Sequence, residues 1–209
     1  MPSITRRRTA SVGRPTSAEA EILAATQRLL INGANFTELG VQQISTEAGV
    51  ARSTFYSHFR DKIDLLMRLA TELMASSFDL TSAWDPSDGV ERLADAFLRV
   101  VEVYRRHAAV RQAIAEVATY DATVRDFWGK EVKQFTDWTI AVLRAEQDAG
   151  RVPAGLDPVS ATRVIVMGGE RAIVDHVTAG DPGGDAAFAR EMALTWWYGV
   201  FRRPADHGE

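Results

Sequence analysis

Apolar positions recur every three or four residues along nearly the whole chain, the period of an α-helix with one buried face. Ile22, Leu23, Thr26, Leu29 and Leu30 trace a first stripe, opened by Ser17 as a capping residue and closed at Gly33. Val41, Ile44 and Ala48 mark a short helix over residues 41–48, which Gly49 stops, and a second short helix is predicted over 52–58. Asp61 then caps a longer helix with a broad stripe of Ile63, Leu65, Leu66, Leu69, Leu73 and Met74. "WDPSDG", residues 84–89, interrupts the pattern with Pro and Gly. Beyond it the periodicity predicts helices at about 88–106, 108–119, 122–149, 157–179 and 184–202, the last three separated by "GRVPAGLDP" and "AGDPGGD". No stretch reads convincingly as a strand and no internal repeat is present, so the predicted fold class is all-α.

Composition narrows this picture little, and charge narrows it more. The 209 residues suffice for one large domain or two smaller ones, and 46% apolar with 25% charged is ordinary for a globular protein. The absence of Cys excludes disulfide and thiol chemistry and fits a reducing compartment. The first fifteen residues are basic but lack the apolar segment of a secretory signal. No apolar run approaches the roughly 18 residues of a membrane span. These features together predict a cytoplasmic protein without a membrane partner. Residues 1–70 hold nine Lys or Arg against six Asp or Glu, whereas residues 71–209 hold fifteen against twenty-two. That asymmetry suggests a front end that meets a polyanion and a back end that does not.

The positive front contains "VQQISTEAGVARSTFYSHF", two short helices joined by a Gly-containing turn, the plan of a helix-turn-helix. Ile44, Ala48 and Val50 would hold the pair together, with Phe55 and Phe59, four apart, facing the core. The exposed face of the second helix would carry Arg52, Ser53, Thr54, Tyr56 and His58 toward a major groove. Arg can bind guanine through two hydrogen bonds, whereas Ser, Thr, Tyr and His more often bind phosphate. Tyr56 and His58 can equally be half-buried structural residues, and Gln42 a solvated helix residue.

"VQQISTEAGVARSTFYSHFRDKIDLL" resembles the signature of TetR-family transcriptional repressors, in which "AGV" is followed by "TFYxHFxxKxxLL". Ser45 stands where that family usually has Ala, and Gly40 where a Ser or Thr usually caps the first helix of the motif. The resemblance covers about 60 residues. It implies base contacts from Gln42, Arg52 and Ser53, and phosphate contacts from Thr54, Tyr56, His58 and Lys62 of a double-stranded DNA operator. Arg6, Arg7, Arg8 and Arg14 of the basic arm can add phosphate contacts or serve only solubility.

The back half is rich in aromatics at helical spacing. Trp128, Val132, Phe135, Trp138 and Thr139 share one side of a long helix, and Leu93, Phe97, Val100, Val101 and Tyr104 share a side of an earlier one. An ordinary aromatic core explains such stripes as well as a ligand cavity does. "FW", "AEQDAGRVP", "MGGER" and "TWW", in that order, resemble the ethionamide-resistance repressor group of the same family. This implies an elongated apolar tunnel for a hydrophobic small-molecule effector. Its candidate lining is Leu93, Val100, Tyr104, Trp128, Val132, Phe135, Trp138, Thr139, Val166, Gly169, Glu170, Val174 and Trp196. That group typically has Asn where Val166 and Gly169 stand here. Glu170, in the apolar run "VIVMGGERAIV", has two readings: an anchor for a ligand's polar group, or the partner of a neighbouring helix. Gly168 and Gly169 each weaken a helix by about 1 kcal/mol relative to Ala, which close helix approach or room for a ligand would offset.

The resemblance further implies a homodimer through the last two helices, whose abundant apolar residues are otherwise intramolecular core. No phosphate loop, zinc-type His pair or nucleophile turn is present, so no enzymatic reading and no cofactor is supported. An all-helical small-molecule carrier explains the aromatics but not the helix-turn-helix. The expected organisation is a flexible basic arm over 1–15, a three-helix DNA-binding domain over 16–62, a connecting helix over 63–83, and a ligand-binding and dimerisation domain over 84–209.

Overall fold

Aspartates start most of the long helices. The computed structural model describes residues 17–204, so the basic arm lies outside the described residues. The elements run α1 (Ser17–Ile31), α2 (Val41–Glu47), α3 (Arg52–His58), α4 (Lys62–Ser82), α5 (Gly89–Arg106), α6 (Ala108–Ala118), α7 (Ala122–Asp148), α8 (Pro158–Ala179) and α9 (Asp185–Trp196). Two 3-10 turns, Pro86–Asp88 and Pro182–Gly184, precede α5 and α9, and a π turn over Trp197–Phe201 ends the last helix. The side chains of Asp61, Asp121 and Asp157 accept hydrogen bonds from backbone N–H groups in the first turns of α4, α7 and α8. No strand occurs among the described residues.

Two apolar cores form, and α4 belongs to both. The first gathers Ile22 of α1, Ile44 of α2, Phe55 of α3 and Leu65, Leu66 and Leu69 of α4, closed on one side by Val110, Ile114 and Val117 of α6. The second gathers Leu73 of α4 with α5, α8 and α9, where α5 is sandwiched between α4 and α9. Because α6 packs on the first core, the N-terminal head and the back half meet along a helix rather than at one hinge.

Buried ion pairs fasten the helix ends of the back half. Arg105 at the end of α5 donates to Asp185 at 2.5 and 2.9 Å, and through Nη1 to the carbonyls of Val177 and Gly180 at the end of α8. His176 Nε2 lies 2.8 Å from the same carboxylate, its ring stacked on Phe188. Glu146 of α7 accepts from both Arg151 and Arg202, which fixes the segment after α9.

One position of the head is under-satisfied. Ser45 of α2 is fully buried and its hydroxyl has no hydrogen-bond partner. A buried hydroxyl without a partner costs on the order of 1 kcal/mol or more. Ser45→Ala is therefore expected to raise the stability of the protein by about 1 kcal/mol, read from urea unfolding. A loss of stability would show that the hydroxyl has a partner after all.

Candidate functional site

The head presents α3 on its surface. Gly49, with φ +67°, turns the chain between α2 and α3 in the left-handed region that a residue with a Cβ adopts at a cost. The backbone N–H of Val50 returns to the carbonyl of Ser45 at 3.0 Å. Phe55 is fully buried and Phe59 nearly so, with ring centroids 5.5 Å apart, and they pin α3 to the core from inside. The opposite face carries Arg52, Ser53 and Tyr56 in the open, Tyr56 at 47% exposure, while Thr54 and His58 are half-buried at the edges. The Arg52 guanidinium lies over the Tyr56 ring and donates to its hydroxyl at 3.3 Å, so the two side chains stand as one basic, aromatic ridge. Gln42, on α2, is exposed and reaches only Thr46 of its own helix.

The ammonium of Lys62 is held by the head itself. Its Nζ donates to the carbonyls of Phe36, Thr37 and Leu39, at 3.2, 2.6 and 3.2 Å. An ammonium has three N–H donors, and all three are committed to the loop between α1 and α2. Ser57, absent from the expected set, is exposed on α3 but spends its hydroxyl on the carbonyl of Thr54. Arg60, also outside that set, is exposed just beyond α3 and pairs with Asp64.

A cleft of about 690 Å³, its open mouth included, lies between α4, α5, α7, α8 and α9. Of the candidate lining residues, Val100, Tyr104, Val132, Phe135, Val166, Gly169, Glu170 and Trp196 border it. The other five do not, for visible reasons. Leu93 is in the second core, and Val174 packs against that core. Thr139 is buried and spends its hydroxyl on the carbonyl of Phe135. Trp138 stacks behind Phe135, centroids 5.7 Å apart, and Trp128 lies under the guanidinium of Arg111. The sequence reading missed α4, which brings Met74, Ser77, Phe78 and Thr81 to the cleft. Phe78 and Thr81 continue the stripe of Met74 at i+4 and i+7, so extending that stripe by one turn would have found them.

Glu170 is paired with a neighbouring helix, as one of its two readings has it, and it is also on the wall of the cleft. It accepts two hydrogen bonds from Arg111 of α6, at 3.0 and 2.7 Å. Burial, and then the nearby Glu170 carboxylate, push the phenol of Tyr104 well above its ordinary range, so it remains a neutral hydroxyl. Gly169 makes room: a Cβ there would stand 3.4 Å from the Trp196 ring, whereas Gly168 faces open space.

The head and the cleft are joined through α6 as well as α4. Thr37, whose carbonyl holds Lys62, donates its hydroxyl to Glu116 of α6 at 2.5 Å and lies 3.0 Å from the hydroxyl of Tyr120. Gln27 of α1 lies 3.4 Å from Nδ1 of His107, whose imidazole is shifted toward the neutral form by burial and then by Arg106. Arg111 and Glu116 sit on the same helix, so one end of α6 touches the acid of the cleft and the other grips the head.

Comparison with known proteins agrees with this division. The family model of bacterial regulatory proteins of the tetR family matches residues 22–69, and that of the C-terminal domain of transcriptional regulator EthR matches residues 93–198. An HTH-type transcriptional regulator EthR of Mycolicibacterium smegmatis is 26% identical over 168 residues, covering 79% of this chain and 77% of the relative. The EthR of Mycobacterium tuberculosis is 25% identical over 196 residues, 91% of this chain and 89% of that one. Among solved structures, Salmonella enterica GusR shares the fold with a TM-score of 0.72 over 91% of this chain and 98% of its own, at 17% identity. The chain belongs to the TetR family of helix-turn-helix transcriptional regulators, DNA-binding proteins rather than enzymes, and its back half is a C-terminal domain of the EthR type.

Proposed function

We propose that this protein is a homodimeric repressor that reads a palindromic operator through α3 and is released from it by a hydrophobic small molecule in the cleft. The observation that carries the reading is the continuity of α4. This single helix of 21 residues starts at Lys62, directly behind α3, and borders the cleft with Met74, Ser77, Phe78 and Thr81. At 1.5 Å per residue, Met74 is about 18 Å from the start of the helix. A ligand that parts α4 from α5 and α7 would therefore tilt the reading head. It does so only if it binds the released form more tightly than the DNA-bound form.

The dimer is supported by the outer face of α8. Val159, Val164 and Met167 are exposed there at 40, 71 and 58%, with Tyr198 of the π turn at 59%. To read adjacent half-sites about a two-fold axis, the two copies of α3 would have to lie about 34–36 Å apart, one turn of DNA. Ile165, Ile173, Val177, Met192, Val200 and Phe201 are buried within the protomer and serve its own core.

The test is titration of a palindromic fragment from the promoter beside the gene, followed by fluorescence anisotropy. Arg52→Ala combined with Tyr56→Ala is expected to weaken binding by at least roughly 10- to 100-fold, since one good base contact alone is worth about 1–3 kcal/mol. Both residues are exposed, so the fold should be untouched. Unchanged affinity in the double variant would remove α3 as the reading surface.

A further inference from the structure

The protein already holds one cation at the acid of its cleft. Arg111 directs both Nε and Nη2 to Oε1 of Glu170, and its guanidinium lies 4.5 Å from the centroid of the Trp128 ring. Oε2 of Glu170 accepts no hydrogen bond among the described residues. Arg111 does not border the cleft, whereas Glu170 and Glu131 do. Tyr104 borders it as well, at 5% exposure, and its hydroxyl has no hydrogen-bond partner among the described residues. The remaining wall is aromatic: Phe97 and Trp196 have centroids 4.9 Å apart, and Phe135 and Trp196 6.5 Å apart.

We infer that the effector of this cleft is a lipophilic amine, bound protonated, whose ammonium takes the open oxygen of Glu170 beside the Tyr104 hydroxyl while its hydrocarbon body lies among the aromatic rings. The inference rests on the cleft being the ligand site proposed above. Three features select the charge. Among the described residues, two carboxylates and no Lys, Arg or His border the cleft, and Arg111 behind it is already committed to Glu170, so a ligand carboxylate would meet repulsion without a cation to receive it. A cation gains from the carboxylates and from the faces of the aromatic rings. The Tyr104 hydroxyl and the free carboxylate oxygen carry hydrogen-bonding capacity at the cleft that an entirely apolar ligand would strip of water and leave unmet. Arg111 on Trp128 and Glu170 shows the same combination of carboxylate and aromatic face already accepting a cation inside the protein.

Decylamine, decanol and decanoate share one chain and differ only in the head group, so their dissociation constants test the assignment directly. Quenching of tryptophan fluorescence on the full chain near neutral pH reads them. Decylamine is expected to bind at least about tenfold more tightly than decanol, with decanoate the weakest. Glu170→Gln is expected to bring the amine and the alcohol to similar affinity. Glu131→Gln, on a half-buried residue without the Arg111 partnership, should lower the preference in the same direction even if the first variant unfolds. Decanol or decanoate binding as tightly as the amine to the wild type would overturn the amine assignment and leave an apolar ligand cleft standing. Binding of none of the three would overturn the ligand cleft and the amine together.

Discussion

Asp185→Asn is expected to remove about 3 kcal/mol of stability, because it strips the charge from the best-buried ion pair of the back half. Asp185 is 7% exposed and holds Arg105 through two hydrogen bonds and His176 through a third. Asn keeps the shape and one acceptor but leaves the guanidinium facing a neutral partner, and Arg105 also supports the last carbonyls of α8. The loss should carry a pH signature. The Arg105 hydrogen bonds, opposed by burial and aided by His176, hold the Asp185 carboxyl below its usual range. A carboxyl depressed in the folded state stabilises fully above its unfolded value of about 4. That contribution disappears as pH falls through the folded value. Urea unfolding of wild type and variant should therefore differ most near neutral pH and converge in acid. Glu146 is depressed in the same way by Arg151, so the difference between the two proteins is the quantity to follow, not the wild-type curve alone. A difference that stays constant into acid would mean that the carboxylate charge is not what Asp185 contributes.

Much of this fold was legible because its signals are local. A stripe of Leu65, Leu66, Leu69 and Leu73 after Asp61 states both that a helix forms and where it starts, and the structure places α4 there with Asp61 as its cap. The turn at Gly49 and the inward pair Phe55 and Phe59 are equally local, since four residues along one helix decide which face they share. The cleft was less legible, because a stripe tells which face of a helix is covered but not by what. The periodicity of α7 offers Trp128, Val132, Phe135 and Trp138 on one side, yet the helix borders the cleft only at residues 131–135. Phe78 was overlooked for the opposite reason, as it sits in "MASSFDLTS", where small and polar neighbours dilute the pattern. The partner of Glu170 was beyond reach as well. Arg111 lies 59 positions away, and nothing local distinguishes it from any other arginine on a helix. The resemblance supplied the expectation for Lys62, but the loop carbonyls that occupy its ammonium belong to an irregular segment with no periodicity to read.

That difference makes Lys62 the most informative single residue of the head. Lys62→Met keeps most of the length and the apolar stem, and removes the ammonium with its three donors and its place over the Phe36 ring, 5.4 Å from the centroid. Phe36 and Leu39 are buried, so the carbonyls of that loop cannot all turn to water. With hydrogen bonds to charged groups worth about 1.5–3 kcal/mol and the site partly open, the variant is expected to lose about 2 kcal/mol of stability. The loop also carries Thr37, the residue that α6 grips through Glu116 and Tyr120, so its loosening should weaken DNA binding and blunt the response to ligand. Salt dependence separates this brace from a phosphate contact. Losing one phosphate contact makes log K against log salt shallower by about 1. Losing a brace lowers affinity at every salt concentration and leaves the slope alone, because the charges facing the DNA are unchanged. The three carbonyl hydrogen bonds predict the second pattern, with the loss of stability alongside it. A shallower slope with stability intact would instead show that the ammonium leaves the loop for DNA, and that α4 joins the reading surface through its first residue.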